Sequence, residues 1–294
     1  MRVVAIINPI SGAGCRDRLG ELFRAMAAAG WRVDRWVTRR AGQAGPWARR
    51  AAAGRADAAL AVGGDGTVCE IAGGLAGTDC PMLIWPVGTE NLVAKSLGFR
   101  ADPEHTLATV RAGNRSVIDL GTANGRSFVV VAGVGFDAEV VERLTRLRVG
   151  HITHLTYAGP LWRTFWEHRW PDLEVTADTP EGPRAWRGRG MVFVGNMSRY
   201  SLGLQVVRDA VPDDGLLDVV AMGCRNHLQL IGHSLRTLAR RHIKHPDVWH
   251  ARVTRVRIAA QRKVPVEIDG EFAGHLPLDI AVQPRALHLL IPAT

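Results

Sequence analysis

The chain has 294 residues, a formal net charge of +9 and 47% hydrophobic residues, which is enough for two domains with sizeable cores. No apolar run approaches the ~18 residues that would suggest a membrane-spanning helix, and the N-terminal run has neither the length nor the flanks of a signal peptide. Four scattered cysteines (Cys15, Cys69, Cys80, Cys224) show no C-x-x-C spacing, which argues against a zinc site or a disulfide framework and fits a reducing cytoplasmic setting.

The positive charge comes almost wholly from arginine; the only lysines are Lys95, Lys244 and Lys263. Such a balance suits nucleic acid, an anionic membrane surface or an anionic substrate, or reflects a solvated basic surface. No RNA-recognition signature, zinc finger or basic zipper is present, so nucleic acid is not expected as a partner.

In chain order, Arg2 to Ile7 is an almost fully apolar run, the pattern of a buried parallel strand. It ends in Asn8-Pro9-Ile10-Ser11-Gly12-Ala13-Gly14, and a helix is predicted over 16–29, stopped by Gly30. A strand at 31–37, a helix at 43–53 and a strand at 57–62 follow. That third strand runs into Gly63-Gly64-Asp65-Gly66-Thr67, and the next helix is predicted over 67–76. Clustered glycines let the backbone turn sharply and approach a ligand, and a helix N-terminus favours phosphate. Thr67 and Glu70 have capping-box spacing, which predicts the helix start. Asp65 would repel phosphates unless a cation stands between them; the plain alternative is a turn residue.

A strand at 82–86 ends in a third glycine-bearing loop, Val87-Gly88-Thr89-Glu90-Asn91. Helices at 90–97 and 103–112 and a strand at 115–119 complete the region, with Asp102 as N-cap and Pro103 in the first turn of the second helix. Strand and helix alternate, which implies a mostly parallel sheet covered on both faces. In such sheets the loops gather at the carboxyl edge, where ligands bind, and three glycine-bearing strand ends point to a nucleotide site. No G-x-x-x-x-G-K-[ST], H-R-D or D-F-G run is present, and no G-x-G-x-x-G follows the first strand, which excludes a P-loop ATPase, a protein kinase and a dinucleotide fingerprint.

Beyond Gly121-Thr122-Ala123-Asn124-Gly125, a natural boundary, short β-branched runs appear at 127–134, 173–177, 190–195, 203–207, 216–222, 253–259, 264–268 and 286–291. They predict an antiparallel sandwich. Two helical segments interrupt it. Asp137 to Trp170 carries Arg143, Arg146, Arg148, His151, Trp162 and Trp166; His227 to His245 sets Leu228, Ile231, Leu235 and Leu238 on one face. Basic amphipathic helices with tryptophan can lie at a membrane interface. For each helix alone, the expectation is an apolar face packed on the sandwich with charges in water.

The sequence resembles the diacylglycerol kinase catalytic family of lipid kinases, which includes sphingosine kinases and many bacterial lipid kinases. The matching residues are Asn8-Pro9 with Ser11-Gly12, Gly63 to Thr67 with Glu70, and Pro86 with Gly88-Thr89 and Asn91. Further along come Ile118 to Gly121, Ala132 to Ala138, Asp213 to Asp218 and Asp269-Gly270-Glu271, in the family's order and over nearly the whole chain. Gly-Gly-Asp-Gly-Thr is shared with NAD kinases; its combination with Gly88-Thr89-x-Asn91 and a late Asp-Gly-Glu is more specific. The chain departs from the family pattern at Cys69 (usually asparagine), Glu90 (usually glycine), Leu92 (often aspartate) and Arg208 (often proline).

The resemblance implies an α/β plus all-β fold. A Rossmann-like parallel-sheet domain would cover 1–122, with 286–294 returning to it, and an antiparallel β-sandwich domain 123–285, as in NAD kinase and diacylglycerol kinase. It implies an ATP-dependent lipid kinase acting on a membrane lipid such as diacylglycerol, cytoplasmic and transiently membrane-associated. Asn8, Pro9, Ile10, Ser11, Gly12, Thr38, Gly63, Gly64, Asp65, Gly66, Thr67, Val68, Cys69, Glu70, Thr89 and Asn91 would hold ATP. Asp65 and Asp119 would arrange Mg²⁺ through waters. Glu271 would take the proton from the lipid hydroxyl; without the resemblance, Asp269-Gly270 reads only as a hairpin turn. Val211, Asp214 and Leu216 resemble the family's separate metal loop, against which stands a simple polar turn. A soluble-substrate kinase of the NAD kinase type and a nucleotide-binding regulatory protein without turnover stay open as alternatives. The sequence neither requires nor forbids a homodimer.

Overall fold

A computed structural model of the chain describes residues 1–11, 16–147, 154–200 and 203–293; Gly12, Arg148 and His151 lie outside them. The chain divides into two compact units, Met1–Leu120 with Pro284–Thr294, and Gly121–Gln283.

The first unit begins with β1 (Arg2–Ile7), α1 (Arg16–Ala28), β2 (Arg32–Val37), α2 (Ala44–Ala53), β3 (Ala58–Gly63) and α3 (Asp65–Leu75). It continues with β4 (Thr78–Pro86), α4 (Leu92–Ser96), α5 (Pro103–Ala112) and β5 (Arg115–Ala123). β2, β1, β3 and β4 lie side by side, all parallel. β3 is buried at every position, as a strand covered by helices on both faces must be, and its lack of a polar alternation follows from that. α5 starts where the sequence predicts: the Asp102 carboxylate accepts from the His105 N–H at 2.8 Å, Pro103 opens the first turn, and Gly113 closes the helix at φ +65°.

The second unit holds the hairpin of β5 with β6 (Arg126–Phe128), then β7 (Val131–Val134), α6 (Phe136–Leu147), α7 (His154–Glu167), β8 (Asp172–Thr179) and β9 (Gly182–Gly195). After these come β10 (Leu217–Gly223), α8 (His227–Leu238), β11 (Val248–Val253), β12 (Arg255–Ala259), β13 (Pro265–Ile268), β14 (Glu271–His275) and β15 (Leu278–Leu290). β15 ends in the first unit, where it lies parallel to β4 and pairs with β5.

β9 makes the sandwich. Its first half pairs with β8, and its second half pairs with β7 and β10. One layer thus runs β9-β8-β12-β15, and the other β14-β13-β7-β9-β10-β11. The changeover falls at Gly190, whose φ is +150° and where a Cβ would lie 2.0 Å from the Met222 carbonyl oxygen. On either side of it the burial changes from alternating to complete. Val175, Val192, Val219, Val253, Ile258 and Ile280 form the centre of the core between the layers.

Several elements differ from their sequence-based expectation. Residues 203–207 form turns instead of a strand. Val206 and Val207 are buried all the same, and the Val206 carbonyl faces His242 Nε2 at 2.7 Å, so the apolar run serves packing without a ladder. β11 and β14 were not expected. The Asn124-Gly125 pair is the two-residue turn of the β5–β6 hairpin, with φ +48° and +82°. α3 starts three residues earlier than the capping box would place it, with Gly64 as N-cap and no side-chain cap.

Candidate active site

The parallel strands of the first unit deliver their loops to one edge. The Asn8 N–H bonds to the Val62 carbonyl at 2.9 Å, and the Val87 N–H to the Gly63 carbonyl at 3.0 Å. Both N–H and Oγ1 of Thr38 donate to the Ile7 carbonyl, at 2.8 and 3.2 Å. Asn8 Nδ2 donates to Thr67 Oγ1 at 3.0 Å, and Asn8 Oδ1 accepts from the Ile10 N–H at 3.1 Å. The ends of β1, β2, β3 and β4 are therefore stitched together before any ligand is considered.

The β3 and β4 loops touch through their backbones. A Cβ on Gly88 would lie 2.5 Å from Gly64 Cα, and one on Gly64 would lie 3.1 Å from Gly88 Cα. Only glycine allows this contact, which explains the shared glycine of the two loops. Asn91 locks the second loop: its Oδ1 accepts from the Gly88 N–H at 2.9 Å, its Nδ2 donates to the Gly88 carbonyl at 2.8 Å, and its own φ is +52°. Asp65 sits in the first turn of α3 and accepts from the Val93 N–H at the start of α4, at 3.4 Å.

The structure thus gathers Asn8, Thr38, Gly63, Gly64, Asp65, Thr67 and Asn91. Gly66 follows Asp65 in the first turn of α3, Pro9, Ile10 and Thr89 are exposed on the loops, and Ser11 bonds to the Asn8 carbonyl through its N–H. The capping-box reading is corrected: Thr67 pairs with Asn8, and the Glu70 carboxylate caps the neighbouring helix α2 by accepting from the Gly42 and Ala44 N–H groups at 2.9 and 3.0 Å. Val68 and Cys69 belong to the packed face of α3. Asp119 is 0% exposed in β5. Its Oδ1 accepts from the Arg285 N–H at 2.7 Å, where β15 bends with φ +51°, so its described contact is a brace and not a solvent-facing cation ligand.

In the second unit, β13 and β14 are joined by the Asp269-Gly270 turn, with φ of +49° and +78°. Asp269 turns back onto the chain between β6 and β7: its carboxylate accepts from the N–H groups of Val129, Val130 and Val131, each at 2.9 Å. Glu271 opens β14 half-exposed and is ion-paired to Arg126 Nη2 at 2.6 Å.

The 211–216 loop departs from the expected metal site. Asp214 Oδ1 accepts from the Leu216 N–H at 3.0 Å, and its Oδ2 is ion-paired to Arg252; Val211 is exposed. An arginine already neutralises the one carboxylate, so these residues do not fit a cation in this arrangement. Among the described residues no three His, Cys, Asp or Glu side chains gather as a metal site.

A second acidic cluster escaped sequence reasoning. Tyr200 Oη donates to Asp137 and lies 3.3 Å from Glu267 Oε1, while Glu267 Oε2 accepts from the Gly270 N–H at 2.8 Å. Burial pushes Glu267 well above the usual carboxylate range, and the Asp137 charge adds to it. Burial also raises Asp137, opposed by the Tyr200 hydroxyl. Two raised carboxyls facing one tyrosine hydroxyl favour a proton retained within the cluster and shared by the pair. No sequence spacing marks this trio; Asp137 lies in a recognisable glycine-rich run, but Tyr200 and Glu267 look like ordinary sandwich residues.

The cluster is expected to make stability fall as pH rises. Between the unfolded carboxylate range and the raised native value, the native state binds more protons than the unfolded one. This contribution is complete below the unfolded pKa and is lost as pH rises through the native value, at up to about 1.4 kcal/mol per pH unit. Glu267→Gln keeps an acceptor for Gly270 and a donor for Tyr200 but cannot ionise. Its stability relative to the parent is therefore expected to rise steadily from acidic to alkaline pH in urea titrations; a pH-independent difference would refute the shared proton.

A parallel α/β unit whose glycine loops meet at one sheet edge, followed by an antiparallel sandwich, defines a two-unit α/β plus all-β fold. Residues 2–123 match the diacylglycerol kinase catalytic domain, and residues 129–291 match the YegS C-terminal NAD kinase beta sandwich-like domain. The chain belongs to the diacylglycerol kinase family and is a kinase of that family. It is 28% identical to the diacylglycerol kinase of Bacillus subtilis (strain 168), over 99% of this chain and 96% of that protein. It is 29% identical to that of Staphylococcus carnosus (strain TM300), over 94% and 90%. A crystal structure of a diacylglycerol kinase from Bacillus anthracis str. Sterne superposes with a TM-score of 0.71 at 21% identity, covering 99% of this chain and 96% of that one, a likeness of fold.

Proposed function

We propose that the chain transfers the γ-phosphoryl group of ATP to the hydroxyl of a membrane lipid such as diacylglycerol. The observation that carries this reading is the gathering of Asn8, Thr38, Gly64, Asp65, Thr67 and Gly88 at one sheet edge in a chain of this family. The β1, β3 and β4 loops would hold the triphosphate through main-chain N–H groups and the N-terminus of α3. Asp65 is partly exposed among those N–H groups, and such a donor set suits Mg²⁺, which when bound offsets phosphate charge. Glu271 accepts the hydroxyl proton as it is released, and Arg126 fixes the carboxylate's orientation.

Incubation with γ-labelled ATP, Mg²⁺ and a panel of lipid alcohols in mixed micelles, with NAD as a soluble acceptor, tests the reading. Label is expected in a lipid, with diacylglycerol the leading acceptor. Transfer to NAD alone, or to nothing, would overturn it.

A further inference from the structure

α8 is built inside out. Its buried side consists of Leu230, His233 and Thr237; His233 Nε2 lies 2.9 Å from the Gly223 carbonyl, and Thr237 Oγ1 bonds back to the His233 carbonyl at 2.8 Å. Asn226 caps the helix by accepting from the Gln229 N–H at 2.9 Å, so the helix is set by local bonds. Leu228, Ile231, Leu235 and Leu238 fall within one arc of the helix and face outward, at 80%, 45%, 61% and 65% exposure. The expectation that this apolar face packs on the sandwich is thus reversed.

α7 extends the patch. Leu161, Trp162 and Trp166 are exposed there. The ring of His227, at the first turn of α8, lies 4.7 Å from Phe165 and 5.6 Å from Trp166, centroid to centroid. The two helices therefore meet at His227 with exposed apolar side chains on both, more than scattered surface leucines would give.

The charge carried by α8 and its flanking residues has one sign. Val219 to Pro246 contains no Asp or Glu, while Arg225, Arg236, Arg240, Arg241 and Lys244 lie within it. Arg163 and Arg169 stand exposed beside the tryptophans, with Arg163 ion-paired to the half-exposed Glu167 at 3.1 Å. A second copy of this chain docked on the same face would bring these cations against each other. An anionic bilayer meets the leucines with acyl chain, the tryptophans with the headgroup boundary and the arginines with phosphate.

We infer that the outward face of α8, with Trp162 and Trp166 of α7, is a docking surface that lies flat on an anionic lipid bilayer. The inference rests on the lipid-kinase reading for its choice of partner, but its test needs neither ATP nor acceptor. The purified chain is expected to sediment with vesicles of phosphatidylcholine and phosphatidylglycerol. Leu228→Glu with Leu235→Glu is expected to weaken that partition by at least about tenfold, and both sites are exposed, so the fold tolerates them. Brominated phosphatidylcholine in the vesicles should quench the parent's fluorescence, and Trp162→Phe with Trp166→Phe should remove most of that quenching. Unchanged partition of the double glutamate variant, or undiminished quenching without the two tryptophans, would overturn the inference. So would conversion of a dimer to a monomer by the glutamate variant with vesicle binding intact, because the face would then join copies of the chain. If the vesicle results stand while no lipid accepts label, the kinase reading alone fails.

Discussion

Glu271→Gln is expected to lower kcat by about 10²–10⁴-fold, equivalent to about 3–5 kcal/mol of transition-state stabilisation, with ATP affinity unchanged. Glutamine keeps the size of the side chain and an oxygen for Arg126 but cannot accept a proton. The carboxylate is half-exposed, opens β14 directly after a tight turn, and is held through one oxygen at 2.6 Å from Arg126 Nη2. A lipid hydroxyl is a far weaker acid than a glutamic acid, so the base acts only as the bond to phosphorus forms. Removing it should therefore appear in the chemical step and not in nucleotide binding. Single-turnover transfer from labelled ATP, measured beside equilibrium ATP binding, separates the two. Full activity of the variant would remove Glu271 from the chemistry and leave it a salt-bridge partner of Arg126.

Asp269→Ala should cost about 3–5 kcal/mol of stability. The Asp269 carboxylate receives three consecutive N–H groups, and Val129, Val130 and Val131 are no more than 1% exposed. Their burial limits how far water can replace the lost acceptor. Each buried donor left alone costs about 1–3 kcal/mol, and the three share one carboxylate, so the sum is not additive. Asp269→Asn should fall between parent and alanine, because its amide offers one oxygen and sets an NH₂ against the remaining donors. Chemical denaturation followed by circular dichroism checks both. A loss below about 1 kcal/mol for the alanine variant would show that the segment finds other partners. The same variant should also lose activity, since Asp269 anchors the turn that presents Glu271.

Much of this was written locally. The apolar runs of β1 and β3, covered on both sides, need no tertiary information to be read as buried parallel strands. Asp102, Pro103 and Gly113 delimit α5 through bonds to their immediate neighbours. The turns at Asn124-Gly125 and Asp269-Gly270 follow from the two residue types that tolerate positive φ. The glycine loops at strand ends were legible for the same reason, since a close backbone approach leaves no room for a Cβ.

What the sequence by itself determined, then, is most of the order of elements, the parallel-then-antiparallel plan and the glycine loops at the strand ends. Only the tertiary structure decided which group each polar side chain meets. Glu70 has the spacing to cap its own helix, yet it caps α2 because that helix lies beside it. Asp214 has the setting of a metal ligand, yet β11 brings Arg252 to it. Asp137, Tyr200 and Glu267 stand far apart in the chain and meet only because α6 and β13 pack together. The leucine row of α8 could have faced either way, and the outcome rests on His233 finding the Gly223 carbonyl inside. Backbone conformation is governed by residues a few places apart, whereas the partner of a charge or an apolar face is chosen by whatever distant segment the fold sets against it.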